Sequence, residues 1–121
     1  MTEPSWRSFA SEAGPTSPDV PSVAAVESEG SEQVVTVRGE VDVCTAPQLR
    51  ACLKQITDSP QQRVVVDVGD LLFIDSSGIA VLAAAVKRLR PDGRDLVVRR
   101  PTRQMTKLLD MTGMRELVTV D

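Results

Sequence analysis

The sequence predicts a single α/β domain whose mixed β-sheet opens with a hairpin and continues with strands that alternate with helices. Three observations carry this reading. β-branched runs recur along the chain, the segments between them place apolar residues at i, i+3, i+4 and i+7, and most of those segments are bounded by capping or breaking residues. The 121 residues, 41% of them hydrophobic and with a net charge of -3, suit one small domain over 21–121. The preceding stretch, 1–20, holds Pro4, Pro15 and Pro18 among several serines and has neither helical nor strand period, so it reads as a disordered tail. Trp6 and Phe9 lie there, either as incidental aromatics or as a short docking motif, which leaves Phe73 as the one aromatic of the domain and predicts an aliphatic core.

The elements follow in order. Val20 to Val26 is a weak edge strand closed by a turn at Ser28-Glu29-Gly30-Ser31, and Val34-Val35-Thr36-Val37-Arg38 is its hairpin partner. Cys44 or Thr45 starts a helix that buries Leu49, Cys52, Leu53 and Ile56, with Pro47 in the first turn, where a missing N–H costs nothing, and Ser59-Pro60 at its end. Val64-Val65-Val66-Asp67-Val68 lacks alternation, as a central strand covered on both faces should. A loop through Asp70 leads to Leu71-Leu72-Phe73-Ile74. Asp75, Ser76 and Ser77 then supply capping side chains for a helix with Ile79, Leu82, Ala83, Val86 and Leu89 on one stripe, stopped by Pro91-Asp92-Gly93. Leu96-Val97-Val98 is a short strand, and Thr102 caps a helix that turns Met105, Leu108 and Leu109 inward. Gly113 is placed as the left-handed residue ending that helix, and Leu117-Val118-Thr119-Val120 forms the last strand.

Composition excludes whole classes of chemistry. With no histidine and two cysteines, neither a Ser-His-Asp triad nor a Cys-His pair nor a histidine-ligated zinc can be assembled from this chain. The acidic balance argues against direct nucleic-acid binding, and the absence of a long apolar run or a signal-like start predicts a cytoplasmic chain that does not enter the membrane. No cofactor or metal is expected. A stretch from Lys87 through Arg88, Arg90, Arg94, Arg99, Arg100 and Arg103 to Lys107 is basic, and reads as a solvated face or as a contact for an acidic partner.

Three landmarks in register, Gly39-Glu40-Val41-Asp42, Phe73-Ile74-Asp75-Ser76-Ser77-Gly78-Ile79 and Leu108-Leu109-Asp110-Met111-Thr112-Gly113-Met114, make residues 22 to 120 resemble the STAS domain of bacterial anti-sigma factor antagonists. The resemblance implies a non-enzymatic protein. Unmodified, it binds an anti-sigma factor that is also a serine kinase, so freeing a sigma factor. Phosphorylation switches it off and a serine phosphatase resets it. The phosphorylated position carried over is Ser76, with Asp42, Asp75, Ser76, Ser77, Gly78 and Ile79 on the partner-binding surface. Read from the residues alone, Asp42, Asp75 and the two serines are also good caps, and Ile79 fits a core stripe as well as a contact. Family members usually continue into a further helix after the last strand, and the sequence ends at Asp121 without one, which predicts an uncovered apolar patch and leaves a homodimer open.

Three other readings compete. A hydrolase using Ser76 lacks the first glycine of GxSxG, since Ile74 stands there. A redox-responsive regulator would use Cys44 and Cys52, but a helix rising about 1.5 Å per residue separates them beyond disulfide reach, leaving Cys44 to link two chains. Within the resemblance, a scaffold or transport-complex subunit would hold its partner without switching.

Overall fold

The computed structural model describes residues 23–30, 32–59 and 63–121; these form a five-stranded mixed sheet and three α-helices. The strands lie in chain order across the sheet: β1 (Ala24–Glu29), β2 (Glu32–Val41), β3 (Arg63–Ile74), β4 (Asp95–Arg99) and β5 (Thr119–Val120). β1 is antiparallel to β2, the opening hairpin, and every later pairing is parallel. The crossovers are α1 (Ala46–Thr57), α2 (Ser76–Leu89) and α3 (Arg103–Thr112). The tail with Trp6 and Phe9, and the boundary proposed at residue 20, lie outside the described residues.

All three helices feed one core on one side of the sheet. Leu49, Cys52, Leu53 and Ile56 of α1, Ile79, Leu82, Val86 and Leu89 of α2, and Met105 and Leu109 of α3 meet Val35, Val64, Val66 and Val98 from the strands. Each fully buried Leu or Ile in such a cluster contributes roughly 1.5–3 kcal/mol of transfer free energy. On the opposite side Val34, Val65 and Val97, cross-strand partners of one another, form a small buried row. Val64, Val65 and Val66 are all 0% exposed, so the unbroken valine run marks a strand covered on both faces, as its lack of alternation implies.

Several boundaries differ from the sequence expectation. β1 begins at Ala24 and pairs down to Glu29 opposite Glu32, which confines the reversal to the two positions between them, with Gly30 left-handed at φ 61°. Ser28 and Glu29 are therefore strand residues. β3 does not loop out at Asp70 but runs unbroken to Ile74, because β2 keeps supplying partners (Arg38 to Asp70, Gly39 to Leu71, Val41 to Ile74) through two register shifts. Gly39, left-handed at φ 76°, sits at one of those shifts, where a residue with a Cβ would be strained. β5 is shorter than expected, since residues Met114–Glu116 make a 3₁₀ turn that takes Leu117 out of the strand. Thr102 and Gly113 act as expected at the two ends of α3: Thr102 Oγ1 accepts from Met105 N, and Gly113 has φ 75°.

The basic stretch from Lys87 to Lys107 does not form one face. Arg99 on β4 reaches Glu29, Glu32 and Asp121, Arg100 grips Asp67 through Nε and Nη2, and Arg94 donates to the Thr57 carbonyl. Lys87 and Arg88 stand on α2, Arg103 and Lys107 on α3. The core is aliphatic, and Phe73 is 39% exposed.

Candidate functional site

β3 pairs with β4 only from Arg63 to Asp67, whereas it pairs with β2 as far as Ile74. The last seven residues of β3 and the end of β2 therefore project past β4 as a two-stranded ribbon. Two loops leave its tip side by side, one starting at Asp42 and one at Asp75, and they are tied by a hydrogen bond from Asp75 N to the Val41 carbonyl (3.1 Å).

Each loop is built around its aspartate. Asp42 Oδ1 accepts from the backbone N–H of Cys44 (2.9 Å) and Thr45 (3.1 Å), while Asp42 N donates to Thr45 Oγ1, which in turn donates to the Glu40 carbonyl. The Thr45 and Cys44 N–H groups hold the Asp42 carboxyl below the usual carboxylate range, so it is ionised at neutral pH. The formal N-cap of α1, Thr45, makes no capping bond of its own. Asp42 closes that turn instead. Asp75 is the N-cap of α2: Oδ1 accepts from Ser77 N at 2.8 Å, and its carbonyl accepts from Gly78 N and Ile79 N. Both aspartates thus do the capping work their residue type suggests, and both leave a negative charge at the tip.

Ser76 is the first residue of α2 and is exposed, and among the described residues its hydroxyl makes no hydrogen bond. Ser77 is half-buried. Gly78 and Ile79 turn inward, and Ile79, at 5% exposure, belongs to the core. Of the six candidate positions, then, Asp42, Asp75, Ser76 and Ser77 reach the surface together, whereas Gly78 and Ile79 seat the helix beneath them.

The residues that sequence reasoning missed are apolar. Leu72 (78% exposed), Phe73 and Val43 (73%) are exposed within three positions of Asp42 or Asp75. Leu72 and Phe73 lie on the part of β3 that β4 no longer flanks, and Val43 lies in the loop that follows β2. The signal was present in Leu71-Leu72-Phe73-Ile74, an apolar run with no alternation placed where only one neighbouring strand remains. A charged, hydroxyl-bearing tip collared by apolar side chains is suited to protein contact.

The cysteines are separated in character as well as position. Cys44 is exposed in the Asp42 turn, whereas Cys52 is buried in the core and burial pushes its thiol up to about 12. The thiolate is the reactive form, so Cys52 is inert and any oxidation chemistry would fall to Cys44. Among the described residues no cluster of three or more His, Cys, Asp or Glu is placed to hold a metal, and no helix is long and apolar enough to cross a membrane.

The capping role of Asp75 separates from its charge by mutation. Asp75→Ala is expected to lower stability by about 1 kcal/mol, and Asp75→Asn by only a few tenths, because Asn caps nearly as well as Asp. Urea denaturation of the two variants measures the difference.

A family model described as "Mlab, STAS domain" matches residues 24–119. An anti-sigma-B factor antagonist of Staphylococcus epidermidis is 28% identical over 87 residues, which cover 72% of this chain and 81% of the relative. Among solved structures, an anti-sigma factor antagonist from Mycobacterium paratuberculosis superposes with a TM-score of 0.74 at 24% identity, over 88% of this chain and 89% of that one. The Bacillus cell fate determinant SpoIIAA in its phosphorylated form superposes with a TM-score of 0.64 at 19% identity, over 81% of this chain and 90% of that one.

Proposed function

The chain belongs to the STAS domain family, and from that premise we propose that it is an anti-sigma factor antagonist whose binding is switched off by phosphorylation of Ser76. Its partner is an anti-sigma factor with serine kinase activity, a serine phosphatase resets it, and the exchange takes place in the cytoplasm. The observation that carries the reading is the exposed Ser76 hydroxyl, without a hydrogen bond among the described residues, at the first position of α2 next to Asp75 on the projecting tip that also carries Asp42. A kinase can reach that hydroxyl without unfolding anything. Phosphate there adds about -1.5 to -2 charge, which the N-terminus of α2 tolerates and a partner fitted to a neutral hydroxyl does not. The relatives named as antagonists, and a structural neighbour solved in phosphorylated form, support the same role.

The test is to incubate the protein with ATP and each anti-sigma serine kinase of its source organism and to map the phosphate by mass spectrometry. Modification of Ser76 is expected. Phosphate solely on Ser77 would move the site without changing the mechanism, and no modification by a kinase that binds the protein would end the proposal. That last outcome would select the second reading, a switchless scaffold or transport-complex subunit.

A further inference from the structure

Among the described residues one face of the sheet carries no helix, yet the valines at its centre are buried. Val34, Val65 and Val97 stand side by side on β2, β3 and β4, at 1%, 0% and 1% exposure. No other described apolar residue belongs to their cluster. The one side chain that reaches across the row is Arg99. It lies two residues beyond Val97, in register with Asp67, and pairs with Glu29 and Glu32 at the hairpin end. A single arginine stem is narrow for three adjacent strands, which span about 10 Å. Its Nε, Nη1 and Nη2 groups meet Asp121, Glu29 and Glu32, so the in-plane donors are engaged and the flat faces of the guanidinium are left for stacking.

The sequence ahead of the described residues holds a segment that matches this face. Over its full length the stretch 1–20 has no period, but within it Trp6, Phe9, Ala10 and Ala13 fall at i, i+3, i+4 and i+7. Arg7, Ser8, Ser11 and Glu12 occupy the remaining positions. Ser5 is a capping type immediately before the stripe, and Gly14-Pro15 is a stop signal immediately after it. As a helix, residues 6–13 would rise about 12 Å, enough to cross three strands, and a helix so short does not hold in water without a surface to pack on. The connection also reaches. β1 is the edge strand, and the Val23 carbonyl accepts from Arg38 N, four residues before Glu27, the partner of Val34. The row therefore lies about 13 Å along the strand and about 10 Å across the sheet from Val23. Residues 14–22, with Pro15, Pro18 and Pro21, extend to about 28 Å.

We propose that residues 6–13 form an amphipathic helix of this chain that lies across Val34, Val65 and Val97, with Trp6 and Phe9 packed on the valines and on the Arg99 guanidinium. Two of the three aromatic residues then serve the one face that the described helices leave bare. The segment is a cover built into the protein, and the Pro-rich stretch behind it is its tether. The inference goes beyond the switch at Ser76 and holds whether or not that serine is modified.

Trp6 is the single tryptophan, so its fluorescence in the full chain reports on the segment directly. Its emission is expected to lie to the blue of free N-acetyltryptophanamide, and acrylamide should quench it at least threefold less. Both differences should vanish in the same urea transition as the far-UV circular dichroism. In protein labelled at the valine methyls, nuclear Overhauser contacts from the Trp6 indole should fall on Val34, Val65 and Val97. Ala10→Glu, on the apolar stripe, should return quenching to the free value, whereas Ser11→Glu, on the polar side, should leave it as in the native chain. Emission and quenching of a free tryptophan in the native chain would overturn the proposal. So would contacts from Trp6 to Leu72 and Phe73 at the Ser76 tip, or equal effects of the two substitutions. Protection lost on dilution together with a fall in sedimentation mass would place the segment on a second copy and would likewise overturn it.

Discussion

Ser76→Asp is expected to weaken the complex with the anti-sigma factor by at least tenfold in titration calorimetry, while Ser76→Ala binds as tightly as the native protein and cannot be switched off. A tenfold loss needs only about 1.4 kcal/mol. The charge that supplies it enters where two carboxylates already stand, since Asp42 is fixed by the Cys44 and Thr45 N–H groups and Asp75 by Ser77 N. Neither can swing away without uncapping its helix. With the local potential already negative, the partner surface must desolvate the added charge or meet it with like charge across the interface, where two unit charges about 4 Å apart repel by roughly 4 kcal/mol at an effective dielectric near 20, reduced several-fold by exposure. A single aspartate carries less charge than a phosphate, so the mimic sets a lower bound. The fold should be indifferent. An anion in the first turn of α2 lies at the favourable end of the helix dipole, worth about 0.3–1 kcal/mol, so the melting temperature of Ser76→Asp should match or exceed that of the native chain. Equal binding of the native and Asp forms to every anti-sigma factor tested would remove the switch from the proposal.

The parts of the molecule legible in the sequence are those decided by local chemistry. Asp75 caps α2, Thr102 caps α3 and Gly113 is left-handed because each role depends on one residue and its nearest backbone. The valine run of β3 and the stripes of α1 and α2 were readable because burial leaves a periodic signature. What stayed hidden was set by neighbours far along the chain. Gly69-Asp70 looks like a turn until β2 supplies partners on one side, and Leu72 looks buried until β4 is seen to stop at the level of Asp67. The basic stretch from Lys87 to Lys107 is contiguous only in sequence; the fold deals its members to α2, β4 and α3. The six candidate site positions mix both cases. Asp42, Asp75, Ser76 and Ser77 reach the surface as their polarity suggests, whereas the inward turn of Gly78 and Ile79 follows from where the sheet lies under the helix.

That inward turn yields the larger stability effect. A Cβ built on Gly78 would lie 2.5 Å from Ile74 Cγ1, 2.7 Å from its Cδ1 and 2.8 Å from Val41 Cγ1. Ile74 is 2% exposed and Val41 0%, so neither has space to retreat into, and both belong to the strand ends that carry the two site loops. Two effects compete on substitution. A glycine inside a helix is disfavoured by about 1 kcal/mol relative to alanine, which would reward any side chain, whereas forcing extra methyl groups into a close-packed core costs about 1–3 kcal/mol. For Gly78→Ala the overlap outweighs the helical gain, which is smaller in the first turn than in a helix interior, so a net loss of about 1–2 kcal/mol is expected. For Gly78→Val the helical gain shrinks because valine is a poorer helix former and the overlap grows, so a loss of about 3 kcal/mol is expected, read as a lower urea midpoint with an unchanged slope. If the variant stays folded, α2 must lift off the ribbon to relieve the overlap. Ser76 would move relative to Asp42, and binding of the anti-sigma factor should weaken with no change in charge. Gly78→Val protein with native stability would mean that the first turn of α2 is not seated on Val41 and Ile74 as described. Reduced stability with full binding would mean that the spacing between the two loops, unlike the charge on Ser76, does not matter to the partner.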